Sequence, residues 1–310
     1  MSPLNDTPLS RREFLKKSGS GLAAIVAAGL LVNQAEAASG GPAVAEEEEP
    51  WGVLIDLTRC TGCDSCALAC KLANQLPHAE TVPDKLDSDA YTFVERRQTS
   101  ALDSEADPHF VKRQCMHCID PACVSACTVG ALRKTAEGPV VYDANKCIGC
   151  RYCQYACPFG VPTYEWENAL GLIHKCQMCV TRLAEGQKPA CVEACPNGAL
   201  RFGRRSALLA QAKAQIETNP GRYVKRVYGE HEAGGTSVMY MAGVPFGELG
   251  FPALGDEPIP HYAETVMKLT PVTALTVASL VSALHWWLKG RQRPHLIPVE
   301  AVEQAAGDNS

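Results

Sequence analysis

The sequence predicts an α+β fold: two pseudo-symmetric units with loop insertions, followed by a single C-terminal transmembrane helix. Three observations predict it. Sixteen cysteines fall into four groups of four: Cys60, Cys63, Cys66, Cys70; Cys115, Cys118, Cys123, Cys127; Cys147, Cys150, Cys153, Cys157; and Cys176, Cys179, Cys191, Cys195. The cysteine-bearing body repeats itself, because CVSACTVGALRK from Cys123 matches CVEACPNGALRF from Cys191 at eight of twelve positions, and CTGC at Cys60 echoes CIGC at Cys147; such self-similarity signals a duplicated unit. Finally, Thr270 to Leu288 is an uncharged run of 19 residues, which at about 1.5 Å per residue reaches across a hydrocarbon layer of roughly 30 Å.

Taken in chain order, the first element is Ser10-Arg11-Arg12-Glu13-Phe14-Leu15-Lys16, followed by a Gly/Ala-rich apolar stretch and Ala35-Glu36-Ala37. This matches a twin-arginine signal peptide over 1–37, a type that exports proteins already folded. Residues 38–50, with Glu46 to Glu49, read as a solvated linker. The body is expected over 51–205. Within it, Ala131–Lys134 and Val140–Asp143 read as two strands around a Glu137-Gly138-Pro139 turn. The segment Lys71–Gln114 offers one strand, Tyr91–Arg96, in an otherwise loop-rich insertion. An amphipathic helix, Ser206–Glu217, opens a Gly- and Pro-rich extension over 206–267. The anchor is expected over 268–289, with Pro271 in its first turn and Trp286 and Trp287 at headgroup level. His285 reads as an interfacial polar residue beside that pair. Lys289, Arg291 and Arg293 then place the tail, 290–310, in the cytoplasm, and the body on the periplasmic face of the inner membrane.

Composition sets limits. A formal net charge of -5 argues against nucleic acid as a partner. Aromatic residues make up only 6%, so cofactors are expected to replace part of the core. The third cysteine group has the form C-x2-C-x2-C-x3-C-P, and the first matches it apart from Lys71 in place of proline. In that pattern three thiolates hold one iron-sulfur cluster while the fourth ligates a neighbour. The count therefore predicts four 4Fe-4S clusters. Zinc would use paired C-x2-C units; a disulfide framework would sit badly with prefolded export; and catalytic thiols would not number sixteen. Gly62 and Gly149 are expected to let backbone approach a cluster.

The hairpin between the second and third groups resembles the connection inside small bacterial two-cluster ferredoxins. By that likeness the body is two bacterial-ferredoxin-like units, 115–157 forming the inner one and 60–70 with 176–195 the outer one. Cys60, Cys63, Cys66 and Cys195 then hold one cluster, and Cys70, Cys176, Cys179 and Cys191 its neighbour. Cys115, Cys118, Cys123 and Cys157 hold a third, and Cys127, Cys147, Cys150 and Cys153 the fourth. Sequential pairing, first with second and third with fourth, is the alternative.

The motifs QCMHCIDPACVSAC, KCIGCRYCQYACPFGVP, HKCQMC and CVEACPNGAL resemble those of the four-cluster iron-sulfur subunits of membrane-bound bacterial oxidoreductases. Within that family, YGEHEAGGTSVMYMAGVPF, Tyr228 to Phe246, looks most like the hydrogenase-2 subunit, with the formate dehydrogenase beta subunit next. The resemblance implies a non-catalytic electron-transfer subunit. Its partners would be the small and large subunits of a nickel-iron hydrogenase, or a molybdopterin catalytic subunit, and an integral membrane quinone-reactive or cytochrome b subunit. A reading of another class is an exported binding protein stabilised by zinc or disulfides. Thr128 departs from the family's usual proline. Lys146, Arg151 and Lys175 flank cysteines and could offset cluster charge, or be plain surface charge.

Overall fold

The computed structural model describes residues 49–98, 108–168 and 171–291. The expected export signal, the linker up to residue 48 and the tail from residue 292 lie outside the described residues.

Strand β1 (Trp51–Asp56) is the centre of a three-stranded sheet ordered β8-β1-β9. It runs antiparallel to β8 (Leu200–Arg204), with Trp51 opposite Arg204 and Ile55 opposite Leu200. It runs parallel to β9 (Val238–Met241), with Val53 opposite Val238 and Asp56 opposite Met241. A strand covered on both faces reads as an unbroken apolar run rather than an alternating one, and WGVLID lacks the alternation that would have marked it. The pleat still divides its side chains. Val53 and Ile55, with Val238 and Tyr240, face a core that includes Cys66 and Cys191. Leu54, with Met239 and Met241, faces the opposite way onto Leu208 and Ala212 of helix α6 (Arg205–Thr218), the helix anticipated over 206–217. Strand β9 lies in the expected extension, so that segment supplies one edge of the central sheet.

The duplicated sequence appears as duplicated local structure. At the end of β1, the Asp56 carboxylate accepts from Thr58 N at 3.1 Å and starts the 3-10 turn Leu57–Arg59 that delivers Cys60. Strands β4 (Leu132–Lys134) and β5 (Val140–Tyr142) form the anticipated hairpin. At its end, Asp143 accepts from Asn145 N at 3.0 Å and starts the turn Ala144–Lys146 that delivers Cys147. An acceptor side chain at the head of a turn satisfies an otherwise orphaned amide. Short helices then carry cysteines of each group, α1 (Ser65–Ala73), α2 (Ala122–Ser125), α3 (Tyr152–Ala156) and α5 (Ala190–Glu193), while α4 (Val180–Ala184) starts directly after Cys179. Helix α1 packs on α5, and α2 on α3. A further small hairpin, β6 (Thr163–Tyr164) with β7 (Ile173–His174), was not anticipated.

Two expectations need correction. The insertion holds two strands: β2 (Phe93–Arg97) pairs antiparallel with β3 (His109–Arg113). The sequence hid β3 because HFVKR places a lysine, Lys112, among its buried positions, which breaks the polar-apolar alternation of an ordinary strand. The C-terminal helix α7 runs from Ile259 to Arg291, so Pro271 lies in its interior and not in its first turn. The missing proline N–H frees the carbonyl of Met267, and the flanking hydroxyls bond other carbonyls of the same turns, Thr270 Oγ1 donating to Val266 O at 2.7 Å and Thr273 Oγ1 to Leu269 O at 3.1 Å. The α7 segment Leu269–Lys289 is long and apolar enough to cross a membrane, and none of it is buried by the rest of the fold.

Candidate functional site

All sixteen cysteines are described, and all are free thiols. The structure brings them together in four mixed sets. Cys60, Cys63, Cys66 and Cys195 line one cavity with Ile55, Val94 and Lys112. Cys70, Cys176, Cys179 and Cys191 line a second with Val53, Thr92 and Gln114. In the third set, burial raises the Cys118 thiol well above its ordinary range, and the neighbouring Cys115, Cys157 and Cys123 reinforce the shift. In the fourth, burial pushes Cys153 up to about 11, reinforced by Cys127, Cys147 and Cys150. Cys195, and not Cys127, therefore lies with the first group.

Neighbours across sets give their order. Cys66, raised to about 11 by burial, feels Cys191 of the second set. Cys176, raised to about 12 by burial, feels Cys115 of the third. Cys123, also raised to about 12 by burial, feels Cys153 of the fourth. The sets form a line, with the exposed Cys63 in the first and the exposed Cys150 in the last. The root of α7 contacts α2, where His261 Nε2 lies 3.5 Å from Asp120 Oδ2, between Cys118 and Cys123.

The backbone around the thiols is as repetitive as their spacing. Two residues after each leading cysteine the chain enters the left-handed region: Gly62 (φ 67°), His117 (φ 47°), Gly149 (φ 68°) and Met178 (φ 56°). The turn aims amides at sulfur, as with Gly149 N to Cys147 Sγ at 3.4 Å and Met178 N to Cys176 Sγ at 3.3 Å. After the last cysteine of a group a second such turn recurs, with Ala131 N on Cys127 Sγ at 3.2 Å and Ala199 N on Cys195 Sγ at 3.3 Å. Thr128 thus leaves the turn the same as that formed beside Pro196. Cys70 sits within α1 and has no such turn, but Asn74 Nδ2 reaches its Sγ at 3.5 Å. This is the local counterpart of Lys71 replacing proline.

At the two expected glycines a side chain would also meet close neighbours. A Cβ on Gly62 would lie 2.3 Å from the Phe110 ring, and one on Gly149 would lie 2.8 Å from Gly171 O. Gly62→Ala should therefore cost about 1 to 2 kcal/mol through the left-handed backbone alone, plus the clash. The expected readout is faster thermal loss of absorbance near 400 nm. Adding Phe110→Ala should relieve the clash but not the backbone strain.

These donors fit iron-sulfur clusters. The thiols of the first two sets line cavities instead of converging on one point, and among the described residues no three His, Cys, Asp or Glu side chains are placed to hold a single metal ion. Buried thiols raised this far stay protonated near neutrality unless cations hold them as thiolates. His117, buried, accepts from Val140 N at Nδ1 (2.9 Å), so Nε2 carries the proton, and that donor has no partner among the described protein atoms. Burial, with Lys175 and Lys134 nearby, keeps this ring neutral. Of the three cations flagged by sequence, Lys175 is buried and donates to Cys176 O at 2.9 Å. Arg151 stacks over Tyr164 and Trp166, and Lys146 is exposed beside Asp143. Sequence reading missed Lys112, His117 and Asn74; the histidine inside C-M-H-C was the one visible signal.

Comparison with known proteins agrees. The 4Fe-4S dicluster domain family matches residues 106–205. The hydrogenase-2 operon protein HybA of Escherichia coli O157:H7 is 35% identical over 314 residues, covering 87% of this chain and 94% of that one. A protein of Nitratidesulfovibrio vulgaris is 45% identical over 309 residues, covering 96% of this chain and 80% of its own length. The nitrate-inducible formate dehydrogenase iron-sulfur subunit of Escherichia coli K12 is 35% identical over 198 residues, 61% of this chain and 66% of that one. With its sixteen thiols gathered in four mixed sets and an apolar C-terminal helix, the chain belongs to the family of iron-sulfur electron-transfer subunits that includes HybA and the formate dehydrogenase iron-sulfur subunits.

Proposed function

We propose that this chain is the electron relay between a periplasmic nickel-iron hydrogenase and a quinone-reactive membrane subunit, with the four thiol sets holding four 4Fe-4S clusters. The observation that carries this reading is the line of thiol sets from exposed Cys63 to exposed Cys150, with the membrane helix rooted on the third set. Bound clusters supply one-electron storage. The sixteen cysteines fix their spacing, and the amides on Cys127, Cys147, Cys176 and Cys195 stabilise the more negative, reduced state. Burial of Cys66, Cys70, Cys123, Cys153 and Cys191 keeps water from the interior of the relay.

On this reading the Cys63 end meets the catalytic partner and the Cys150 end lies toward the membrane subunit. The body spans 51–205, joined by the extension to an anchor whose tail is cytoplasmic. The N-terminal twin-arginine motif supports the periplasmic side. No residue of the chain acts as acid, base or nucleophile on a substrate; that chemistry belongs to the partner. The test is isolation of the intact complex from membranes, with mass spectrometry of its subunits and reduction by hydrogen. The expected result is co-purified hydrogenase subunits and hydrogen-dependent cluster reduction that continues to quinone. A molybdopterin subunit with formate-dependent reduction would transfer the relay to that enzyme class, and subunits of neither kind would overturn it.

A further inference from the structure

Lys112 is a charged side chain buried in the interior. Its relative exposure is 1%, and its ammonium donates to two neutral oxygens, Thr92 Oγ1 and Gln114 Oε1. Among the described residues no carboxylate pairs with it. A buried ammonium without a counter-charge costs several kcal/mol, so buried charges are found paired or facing an opposite charge. The side chain lines the cavity of Cys60, Cys63, Cys66 and Cys195. Its two acceptors, Thr92 and Gln114, line the neighbouring cavity of Cys70, Cys176, Cys179 and Cys191, so the ammonium sits between the two outer sets. Its strand, β3, is half of the hairpin that the long insertion forms, and Tyr240 OH fixes the backbone by donating to Lys112 O at 2.8 Å.

We propose that Lys112 is the potential-setting cation of the outer unit: it lies between the first two thiol sets and raises the reduction potentials of the two clusters they hold. An electron arriving on either cluster meets a fixed positive charge within a medium that screens it poorly. The insertion thereby gains a role, since the β2-β3 hairpin carries both this lysine and, close by on the chain, the hydroxyl of Thr92 that receives it.

The inference rests on the assignment of the cysteines to four clusters, and its test separates the two. The full chain in its membrane complex is compared with Lys112→Met and Lys112→Arg, measuring iron, acid-labile sulfide and EPR-monitored potentials. In Lys112→Met, four clusters remain and two of them shift to more negative potential by at least a tenfold change in the reduction equilibrium, about 59 mV for one electron. The other two stay fixed, and Lys112→Arg restores the wild-type values. Unmoved potentials, a common shift of all four clusters, or an arginine variant that behaves like methionine would each overturn the proposal. If Lys112→Met does not retain iron, Thr92→Asp decides the matter by setting a carboxylate against the ammonium. The same two potentials then fall, and their constancy overturns the proposal. Fewer than four clusters in the wild-type complex would instead overturn the cluster assignment.

Discussion

Cys195→Ser should abolish or convert the same cluster signal as Cys63→Ser, although 132 positions of sequence numbering separate the two. Both thiols line one cavity, and Cys195 is held there by Ala199 N at 3.3 Å and by the strand β8 that follows it. A serine oxygen is a poorer ligand than thiolate for this soft-ligand chemistry, so one cluster in four should be lost or altered in each variant, with about a quarter of the iron. Cys127→Ser should affect a different signal, because Cys127 lies with Cys147, Cys150 and Cys153. EPR spectra of the three variants decide it. Coincident losses in Cys63→Ser and Cys127→Ser, with a separate loss in Cys195→Ser, would restore sequential pairing and refute the crossed arrangement.

The second large effect concerns the membrane. A chain stopped after Lys268 should move from the membrane fraction to the soluble fraction with its iron content unchanged. Leu269–Lys289 has a mean hydropathy of 1.3 and none of it is covered by the fold, leaving Leu275, Val277, Leu280, Val281 and Leu284 exposed. So much apolar surface on one helix needs lipid or a partner. The stop lies beyond His261, so the contact with Asp120 survives and the cluster-bearing part keeps its neighbours. Carbonate extraction followed by iron assay is the measurement. Leu280→Arg should weaken insertion without shortening the chain, by about 2.5 to 3.5 kcal/mol on an insertion scale. Release of the unaltered chain by carbonate would contradict the anchor.

Local patterns were legible because they repeat within a few residues. The hairpin Leu132–Tyr142 and the apolar run of α7 each carry their own turn residues or composition, and α6 its run of helix-forming Ala, Leu, Gln and Lys without the amphipathic pattern expected of it. Strand β1 did not, because both its faces are buried and its partners come from residues 200–204 and 238–241. Strand β3 was hidden by Lys112, whose ammonium meets Thr92, Gln114 and the cavity of Cys60, Cys63, Cys66 and Cys195 only in three dimensions. Pro271 read as a helix start because the uncharged run begins at Thr270, whereas the helix already begins at Ile259, in a segment without apolar periodicity.

The sequence by itself determined the cofactor chemistry, through the number and spacing of its cysteines, and it determined where the apolar helix lies. Both depend on near neighbours along the chain. Only the tertiary structure decided which thiols share a cavity, the order of the four sets, and the position of a buried cation between two of them. Those depend on the sheet β8-β1-β9 and the packing of α1 on α5, contacts between distant segments that no local spacing encodes.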